Sequence, residues 1–299
     1  MSTSAAPPPV EAAAASAPPP REKEVKTAWG SLLDDTRDVQ CTQGLPPLPP
    51  PPPAPPADGI FAPVASMLRG LAGASSSPPP SRPALAAKDY DAFVLTGLFS
   101  DDECRRLIAA SEEADCGYGT TNYPKKYRGN LRLITEDTSL TARVWERLRP
   151  FAPPTVELDG AVWDAVGLNE CWRLAKYFPG DQFLSHCDAP YTRSDTEMSM
   201  YTVNAYMNGG FEGGSTRFYD SNGGTSTKVL ASECVPVAGS CVVFRQPPGE
   251  AYLHDGEQLR SGEKFLFRSD IMYRKRLFKR PAEAEEEEGA AAGAGSGER

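Results

Sequence analysis

The distribution of proline sets the first limit on how this chain can fold. Of its 30 prolines, 20 lie at or before Pro83, although that part is little more than a quarter of the 299 residues. Proline removes a backbone hydrogen-bond donor, and the alanines and serines around these prolines offer little apolar surface to bury. We therefore expect residues 1–86 to form a disordered Pro/Ala-rich segment, and residues 87–280 to form one domain with its own core.

The densest run of proline lies inside the first segment. Residues 45–56 read Leu-Pro-Pro-Leu followed by five prolines, an alanine and two more prolines. Such a run predicts a polyproline II helix, which SH3, WW and EVH1 domains bind in aromatic grooves. A partner of that type is one hypothesis for this segment. A stiff spacer without a partner is the alternative.

The charge is uneven along the chain. The formal net charge is −9, and residues 281–299 hold six glutamates and one arginine, so we expect a disordered acidic tail there. The remaining charge shows no basic footprint of a nucleic-acid binder, and we expect no nucleic-acid partner. The one basic run, residues 274–280, adjoins Glu285–Glu288 and indicates a solvated end of the domain. A nuclear-import signal is the alternative.

Cysteine usage and hydropathy indicate the compartment. The seven cysteines are odd in number and form no C-x-x-C pair, which argues against a disulfide framework or a structural zinc site. The N-terminal residues lack an apolar stretch typical of a secretory signal. No apolar run approaches the roughly 18 residues needed to cross a bilayer, so we expect no membrane association. The sequence therefore predicts a cytoplasmic protein, with the nucleus as the alternative.

The pattern of apolar residues after residue 86 predicts helices first and strands later. Residues 91–95 predict a strand. Ser100 with Glu103 forms a capping box that opens a helix through Ala114, and a second helix is expected over Ser139–Leu148. Short alternating runs separated by turn residues then predict strands at 171–178, 182–187, 199–207, 215–219, 234–237, 240–245, 250–254 and 263–273. The expected fold class is α+β, with supporting helices followed by a double-sheet jelly-roll barrel.

The two histidines of the chain, His186 and His254, restrict its metal chemistry. In the run Ser185-His186-Cys187-Asp188, alternation along a strand places His186 and Asp188 on the same face. A third ligand must come from another strand, and His254 is the one imidazole left. Two histidines and one carboxylate on one face of a metal are typical of non-haem Fe(II) sites in oxygen chemistry. An H-x-D tripeptide alone also occurs by chance in ordinary strands.

The expected strand over residues 263–273 carries two cations toward the same side. Lys264, Leu266, Arg268 and Asp270 alternate and therefore share one face. Cations that point into a barrel are costly unless they meet an anion. A dicarboxylate co-substrate could chelate the metal through its 2-oxo acid end and accept a charge-assisted bond from Lys264 or Arg268 at its other end. Exposed charges on a strand edge are the alternative.

Several motifs in a fixed order resemble one enzyme family. They are Arg173-x-x-x-Tyr177-x-x-Gly180, His186-x-Asp188, Tyr206-Met-Asn208, Glu212-Gly-Gly-Ser-Thr216-x-Phe218, Pro236-x-x-Gly239 and His254-x-Gly256 through Gly262-x-Lys264. This order resembles the Fe(II)- and 2-oxoglutarate-dependent dioxygenases of the prolyl 4-hydroxylase catalytic-domain type. The resemblance is close over residues 167–273, looser back to Tyr90, and does not cover the proline-rich segment or the acidic tail. It implies a double-stranded β-helix whose core motifs lie within residues 167–275.

The resemblance also implies roles for individual residues. His186, Asp188 and His254 match the iron ligands, and Lys264 matches the lysine that binds the C5 carboxylate of 2-oxoglutarate. Tyr177 matches a tyrosine that hydrogen-bonds the co-substrate. Tyr206 is expected to make a similar contact from a neighbouring strand, and Arg268 either shares the role of Lys264 or competes for it. The implied cofactors are Fe(II), 2-oxoglutarate as co-substrate and L-ascorbate as reductant.

The activity that the resemblance implies is hydroxylation of an unactivated C–H bond, with decarboxylation of 2-oxoglutarate to succinate. A prolyl or other side chain of a protein or peptide is the expected substrate. Hydroxylation of a small molecule or a free amino acid is the first alternative, because substrates are bound by loops outside these motifs. A scaffold that carries the polyproline segment and a non-catalytic barrel is the second.

Overall fold

The structure is a computed structural model that describes residues 24–48, 91–114, 117–221, 228–248 and 252–277. These residues are mostly β, with two α-helices. The strands are β1 (Glu24–Lys26), β2 (Gln40–Gln43), β3 (Ala92–Thr96), β4 (Gly119–Thr120), β5 (Leu131–Glu136), β6 (Thr155–Leu158), β7 (Ala161–Leu168), β8 (Cys171–Tyr177), β9 (Phe183–His186), β10 (Thr192–Ser194), β11 (Glu197–Tyr206), β12 (Glu212–Gly213), β13 (Thr216–Ser221), β14 (Lys228–Cys234), β15 (Cys241–Arg245), β16 (Leu253–Gly256), β17 (Leu259–Ser261) and β18 (Lys264–Lys275). The helices are α1 (Asp101–Glu112) and α2 (Thr138–Leu148).

Two sheets carry the architecture. The large sheet has the strand order β1-β5-β8-β18-β11-β15-β3-β2, with β4, β6, β7 and β10 attached to it. The small sheet has the order β14-β13-β16-β9. Apart from the parallel pair β1–β5, the pairs in these sheets are antiparallel. This arrangement of two antiparallel sheets is consistent with the expected jelly roll.

The two faces of the large sheet bury different side chains. One face packs against the helices, through residues such as Leu107 of α1, Val144 of α2 and Phe267 of β18. The other face meets the small sheet, where Phe218 of β13 and Phe244 of β15 are buried in a second cluster. Because side chains alternate along a strand, Lys264, Leu266, Arg268 and Asp270 of β18 all face the small sheet. The large sheet therefore separates an apolar layer under the helices from a space between the two sheets.

Both predicted helices are present. The Ser100 side chain accepts a hydrogen bond from the Glu103 backbone N–H, and the Glu103 carboxylate accepts one from the Ser100 backbone N–H, which confirms the capping box. Helix α1 ends at Glu112, two residues before its predicted end. Helix α2 has Asp137 as its N-cap, and Leu140, Val144 and Leu148 lie on its buried face as predicted.

Residues 24–48 differ from the sequence-based expectation of disorder. Strand β1 pairs with β5, and β2 pairs with β3. Between them, a short 3-10 helix, Trp29–Leu32, packs on α2, and Leu33 is buried in the main core. The expectation was wrong for this stretch because it averaged composition over 86 residues, whereas residues 21–45 contain no proline. The dense part of the proline-rich segment (residues 49–56) and the acidic tail lie outside the described residues.

The strand predictions were accurate near the motifs and poor elsewhere. A strand was expected over residues 234–237, but β14 ends at Cys234, and Val235 and Val237 that follow are 66% and 59% exposed. Their alternation imitates a strand, while Pro236 between them lacks the N–H that a ladder needs. Strands β5 and β7 were not predicted, because charged residues interrupt their apolar pattern. Among the described residues, no helix is long and apolar enough to cross a membrane.

Candidate metal centre and active-site pocket

His186, Asp188 and His254 come together between the two sheets. His186 is the last residue of β9, and it lies directly opposite His254 on the paired strand β16. One nitrogen of each ring and one carboxylate oxygen lie within 4.8 Å of one another. Asp188 Oδ1 is 3.6 Å from His186 Nε2, and Asp188 Oδ2 is 3.7 Å from His254 Nε2. The prediction that these three side chains reach one point is confirmed.

The two imidazoles are oriented by hydrogen bonds inside their own strands. His186 Nδ1 donates to the Leu184 carbonyl at 2.8 Å, and His254 Nδ1 donates to the Tyr252 carbonyl at 2.9 Å. A carbonyl can only accept, so the proton of each neutral ring lies on Nδ1 and the lone pair lies on Nε2. Burial lowers the pKa of His254 to about 4, against the opposing effect of Asp188, so this ring is neutral at ordinary pH. Both Nε2 atoms are therefore available as ligands.

Asp188 is buried, and both of its carboxylate oxygens have protein donors. Arg268 Nη1 lies 3.0 Å from Oδ1, and the Thr202 hydroxyl donates to Oδ2 at 2.7 Å. Burial opposes ionisation of this carboxyl, but Arg268 and the two histidines outweigh it and hold the pKa of Asp188 well below its usual range. The group is an anion that can bind a cation directly.

Lys264 is a buried cation in the same pocket. Its side chain is directly opposite Tyr177 on the paired strand β8, and Nζ donates to the Gly214 carbonyl. The ammonium also lies 5.2 Å from the ring centroid of Tyr177 and 5.7 Å from that of Tyr206. None of the ion pairs between described side chains includes Lys264, and burial lowers its pKa to about 8. A lysine in this situation favours an anionic ligand that would satisfy its charge.

The two tyrosines predicted to contact the co-substrate have different environments. Tyr177 lines the pocket, and burial raises its pKa, so the phenol stays protonated and can donate a hydrogen bond. The Tyr206 hydroxyl instead donates to Thr216 Oγ1 at 2.8 Å, and Thr216 is the member of this pair that lines the pocket. Tyr206 therefore supports the pocket from behind.

Sequence reasoning placed Asn130 and Arg132 in a loop over the barrel mouth, with a charged strand edge as the alternative, but it missed the aromatic residues there. Arg128, which precedes β5, stacks its guanidinium 4.5 Å from the ring centroid of Phe183. The rings of Phe183 and His186 stack with their centroids 3.7 Å apart, and Tyr127 makes an edge contact with Phe183. Tyr123, which is 51% exposed, packs on Tyr127. We call this group, Tyr123, Tyr127, Arg128 and Phe183, the mouth cluster. A signal was present in the aromatic residues around Arg128, but nothing in the sequence showed that they meet β9.

The residues of the pocket fit Fe(II) and 2-oxoglutarate, the metal and the co-substrate that the sequence resemblance implies. Two imidazole Nε2 atoms and one ionised carboxylate form a donor set suited to Fe(II). The pocket also places cationic residues near this donor set, among them Lys264, Arg128, Arg173 and Arg268. Arg173 and Arg268 already pair with Asp270 and Asp188, so Lys264 is the cation that best fits the distal carboxylate of a bound co-substrate. Cys187, between the two ligands of the H-x-D motif, is exposed, as alternation predicted.

Comparison with known proteins agrees with this donor set. Residues 172–269 match the model of the 2OG-Fe(II) oxygenase superfamily. A search of curated proteins by sequence returned no match.

Solved structures with a similar chain path include prolyl hydroxylases. The viral collagen prolyl hydroxylase of Paramecium Bursaria Chlorella virus-1 is 18% identical, with 62% of this chain and 96% of that chain covered and a TM-score of 0.40. A Pseudomonas putida prolyl-4-hydroxylase is 20% identical, with coverages of 63% and 94% and a TM-score of 0.43. A Trichoplax adhaerens prolyl hydroxylase is 14% identical, with coverages of 56% and 74% and a TM-score of 0.38.

The family match and the donor set fall on the same residues. The matched stretch, residues 172–269, contains His186, Asp188 and His254, and these are the three side chains that the fold brings within bonding range of one metal ion. Residues 172–269 thus match the 2OG-Fe(II) oxygenase superfamily, and His186, Asp188 and His254 are the candidate metal-binding triad within them.

Proposed function

We propose that this protein hydroxylates an unactivated C–H bond of a peptide or protein, with a prolyl side chain as the substrate, and converts 2-oxoglutarate to succinate. The observation that carries this proposal is the single pocket that joins the triad to the buried cation Lys264. Fe(II), when bound to the triad, supplies the activation of dioxygen and the oxidising chemistry. L-ascorbate is the expected reductant that keeps the metal ferrous.

In this proposal Lys264 binds the C5 carboxylate of 2-oxoglutarate. Its ammonium is buried, its described hydrogen bond goes to the uncharged Gly214 carbonyl, and no ion pair among the described side chains includes it, so a bound carboxylate would supply a direct charged partner. Tyr177 lies opposite Lys264 and can donate to the same end of the co-substrate. Arg268 is the weaker candidate for this role, because Asp188 and Asp270 already engage its guanidinium.

The chain's own residues then fix the geometry of the reaction. Lys264 at one end of the co-substrate and the triad at the other define its direction, so the reacting groups are held in place before the reaction. The phenyl rings of Phe218 and Phe244 pack against the His254 ring and keep water from that side of the triad. The mouth cluster adjoins the triad through Phe183, whose ring stacks on His186.

The mouth cluster supports a peptide as the substrate. Polyproline-type peptides bind grooves lined by aromatic side chains, because the extended backbone presents flat apolar faces to the rings. Tyr123, Tyr127 and Phe183 form such a row, and Arg128 lies over the rings of both Tyr123 and Phe183. A free amino acid would need a small closed pocket and would make little use of an exposed row of rings.

The test is turnover of labelled 2-oxoglutarate by the purified protein with Fe(II) and ascorbate. Proline-rich peptides are compared with the same peptides in which each proline is replaced by alanine, and with free amino acids. We expect proline-rich peptides to stimulate succinate release and to gain the mass of one oxygen. Stimulation by a free amino acid alone would identify a small-molecule hydroxylase. The absence of succinate under every condition would favour the scaffold.

A variant at the mouth makes the peptide assignment specific. Tyr123→Ala should raise the KM for a proline-rich peptide by several-fold, while peptide-independent turnover of 2-oxoglutarate stays unchanged. Leu277→Ala removes a side chain that is 75% exposed two residues after the end of β18 and is the matched control. Equal peptide KM values for Tyr123→Ala and the wild type would exclude the mouth cluster as the peptide site.

A further inference from the structure

The three members of the triad are not held by the same means. His186 and His254 lie on paired strands, so the ladder between β9 and β16 fixes their backbones. Asp188 lies two residues beyond His186, after β9 has ended, and it is outside any strand. A ligand on irregular backbone needs side-chain contacts to hold its carboxylate in place.

Arg268 supplies the charged contact to Asp188 and connects it to a second carboxylate. Its Nη1 lies 3.0 Å from Asp188 Oδ1, and its Nη2 lies 3.2 Å from Asp270 Oδ1. Asp270 is 1% exposed and accepts a further bond from Arg173 Nη1 at 2.9 Å. The Nε of Arg268 is buried without a hydrogen-bond partner among the described residues, so the two carboxylates determine how the guanidinium is turned.

The second oxygen of Asp188 is held by a chain of bonds that returns to Asp270. Gln246 Nε2 donates at 2.8 Å both to Asp270 Oδ1 and to Thr202 Oγ1. Thr202 therefore accepts from Gln246 and directs its one proton to Asp188 Oδ2 at 2.7 Å. Asp188, Arg268, Asp270, Gln246 and Thr202 form a closed ring of hydrogen bonds, which we call the carboxylate ring.

We propose that Arg268 is a positioning residue for the iron ligand Asp188: it bridges Asp188 to Asp270 and holds the ligand carboxylate in its binding orientation before the metal arrives. Arg268 acts through Asp188 and does not bind the co-substrate. The inference rests on Asp188 being a metal ligand, and it does not depend on the class of substrate. It also explains why two cations lie on one face of β18, since Lys264 and Arg268 have separate partners.

A purely electrostatic role and a positioning role of Arg268 predict opposite effects of its removal on metal binding. Removal of a cation next to a divalent metal site lessens repulsion, so electrostatics alone would tighten metal binding. Removal of the bridge leaves the Asp188 carboxylate free to rotate, so positioning predicts weaker metal binding, by about 10- to 100-fold for contacts that orient a ligand. Lysine would retain the charge but lacks the planar fork that serves two carboxylates at once.

The experiment measures binding of Mn(II) to the purified, chelator-treated full chain by calorimetry, without 2-oxoglutarate or peptide. We expect Arg268→Gln to bind Mn(II) about 10- to 100-fold more weakly than the wild type, and Arg268→Lys to recover only part of that loss. Arg173→Gln is the matched control, because it removes a nearby charge and leaves the carboxylate ring closed. Its affinity should stay within about twofold of the wild type or become tighter.

Two further measurements keep the result decisive. Thr202→Val removes the other donor to Asp188 at nearly constant shape and should also weaken Mn(II) binding. If circular dichroism shows that Arg268→Gln does not fold, this variant tests in its place whether the carboxylate ring holds Asp188 for the metal. Wild-type or tighter Mn(II) affinity in a folded Arg268→Gln protein overturns the proposal. So does a variant that binds Mn(II) normally but loses affinity for 2-oxoglutarate, which would make Arg268 a co-substrate ligand. The proposed function fails separately, if the wild-type protein binds Mn(II) but Fe(II) supports no turnover.

Discussion

His186 and His254 face each other across two paired strands, with ring centroids 4.3 Å apart, and each ring donates its Nδ1 proton to the backbone carbonyl two residues before it. The same short motif thus occurs on both sides of the triad. It fixes the tautomer of each ring without help from any other side chain. The histidine half of the metal site is therefore built into the strands, and the carboxylate half depends on Arg268 and Thr202.

Loss of any triad residue should abolish turnover of 2-oxoglutarate. His186→Ala or Asp188→Ala removes one of the three ligands, and we expect succinate release to fall by about a thousandfold or more, to the background of the assay. Cys187→Ala is the matched control from the same tripeptide, because Cys187 is exposed and lies outside the pocket. Full turnover in either ligand variant would contradict the assignment of the triad.

Removal of the charge on Lys264 should weaken the use of 2-oxoglutarate more than it slows the reaction. For Lys264→Met we expect the KM for 2-oxoglutarate to rise by about 10- to 100-fold and kcat to change much less, since a charged hydrogen bond of this kind contributes roughly 1.5–3 kcal/mol. The control is Lys176→Met. The Lys176 side chain lies on the face of β8 opposite to Tyr177 and pairs with Glu112 and Glu263. An unchanged KM in Lys264→Met would remove Lys264 from the co-substrate site.

The buried ammonium should also give the enzyme a pH limit on the alkaline side. The pKa of Lys264 is about 8, lowered by burial, and the residue loses its charge as the pH rises through that value. We therefore expect kcat/KM for 2-oxoglutarate to be level below about pH 8 and to fall about tenfold per pH unit above it. The profile of kcat at saturating co-substrate should be flatter. In Lys264→Arg, which stays protonated, a decline at the same pH would assign the effect to another group.

The ion pair between Arg147 and Glu103 should be a main support of the helical layer. Both side chains are buried, and Arg147 donates to both oxygens of Glu103 at 3.1 and 2.7 Å, while Asp34 contributes a backbone N–H to the same carboxylate. We expect Arg147→Met to lower the free energy of unfolding by about 3–5 kcal/mol, because it leaves a buried carboxylate without its partner. Urea denaturation measures this change. Arg105→Ala breaks an exposed pair with Asp102 and should leave the urea midpoint unchanged.

The Arg147–Glu103 pair also predicts how the free energy of unfolding changes at acid pH. Burial opposes ionisation of Glu103, but Arg147 and the backbone N–H groups of Ser100 and Asp34 outweigh it and lower its pKa. A carboxyl whose pKa is lowered in the folded state contributes stability above its ordinary pKa and loses it as the pH falls through the lowered value. In Arg147→Met the stability lost on acidification should be smaller than in the wild type. An equal slope of stability against pH in both proteins would contradict the assignment.

Features set by short stretches of sequence could be predicted from the residues. The capping box of Ser100 and Glu103, the buried face of α2 and the shared face of Lys264 and Arg268 all depend on periodicity within one element. The triad was also predictable, because a chain with two histidines has few ways to build a site of this kind. The order of the motifs then pointed to the superfamily whose model matches residues 172–269.

Features that depend on which elements meet were not predicted. The pairing of β1 with β5 and of β2 with β3 adds residues 24–26 and 40–43 to the large sheet, although the segment lies next to long runs of proline. The mouth cluster forms because the residues before β5 lie against Phe183 of β9, more than fifty positions later. Composition and motif spacing carry no information about which distant segments pair or pack together.

The sequence by itself determined the set of reactive groups: two imidazoles, one carboxylate two residues from the first of them, and the cations Lys264 and Arg268 on one face of a strand. Tertiary structure alone decided which groups the two cations contact. Arg268 and Lys264 are four residues apart and point the same way, yet β18 passes close to Asp188 at one point and to Gly214 and Tyr177 at the other. The physical reason is that a charge in a buried site takes its role from its nearest partner, and strand pairing across the chain selects that partner.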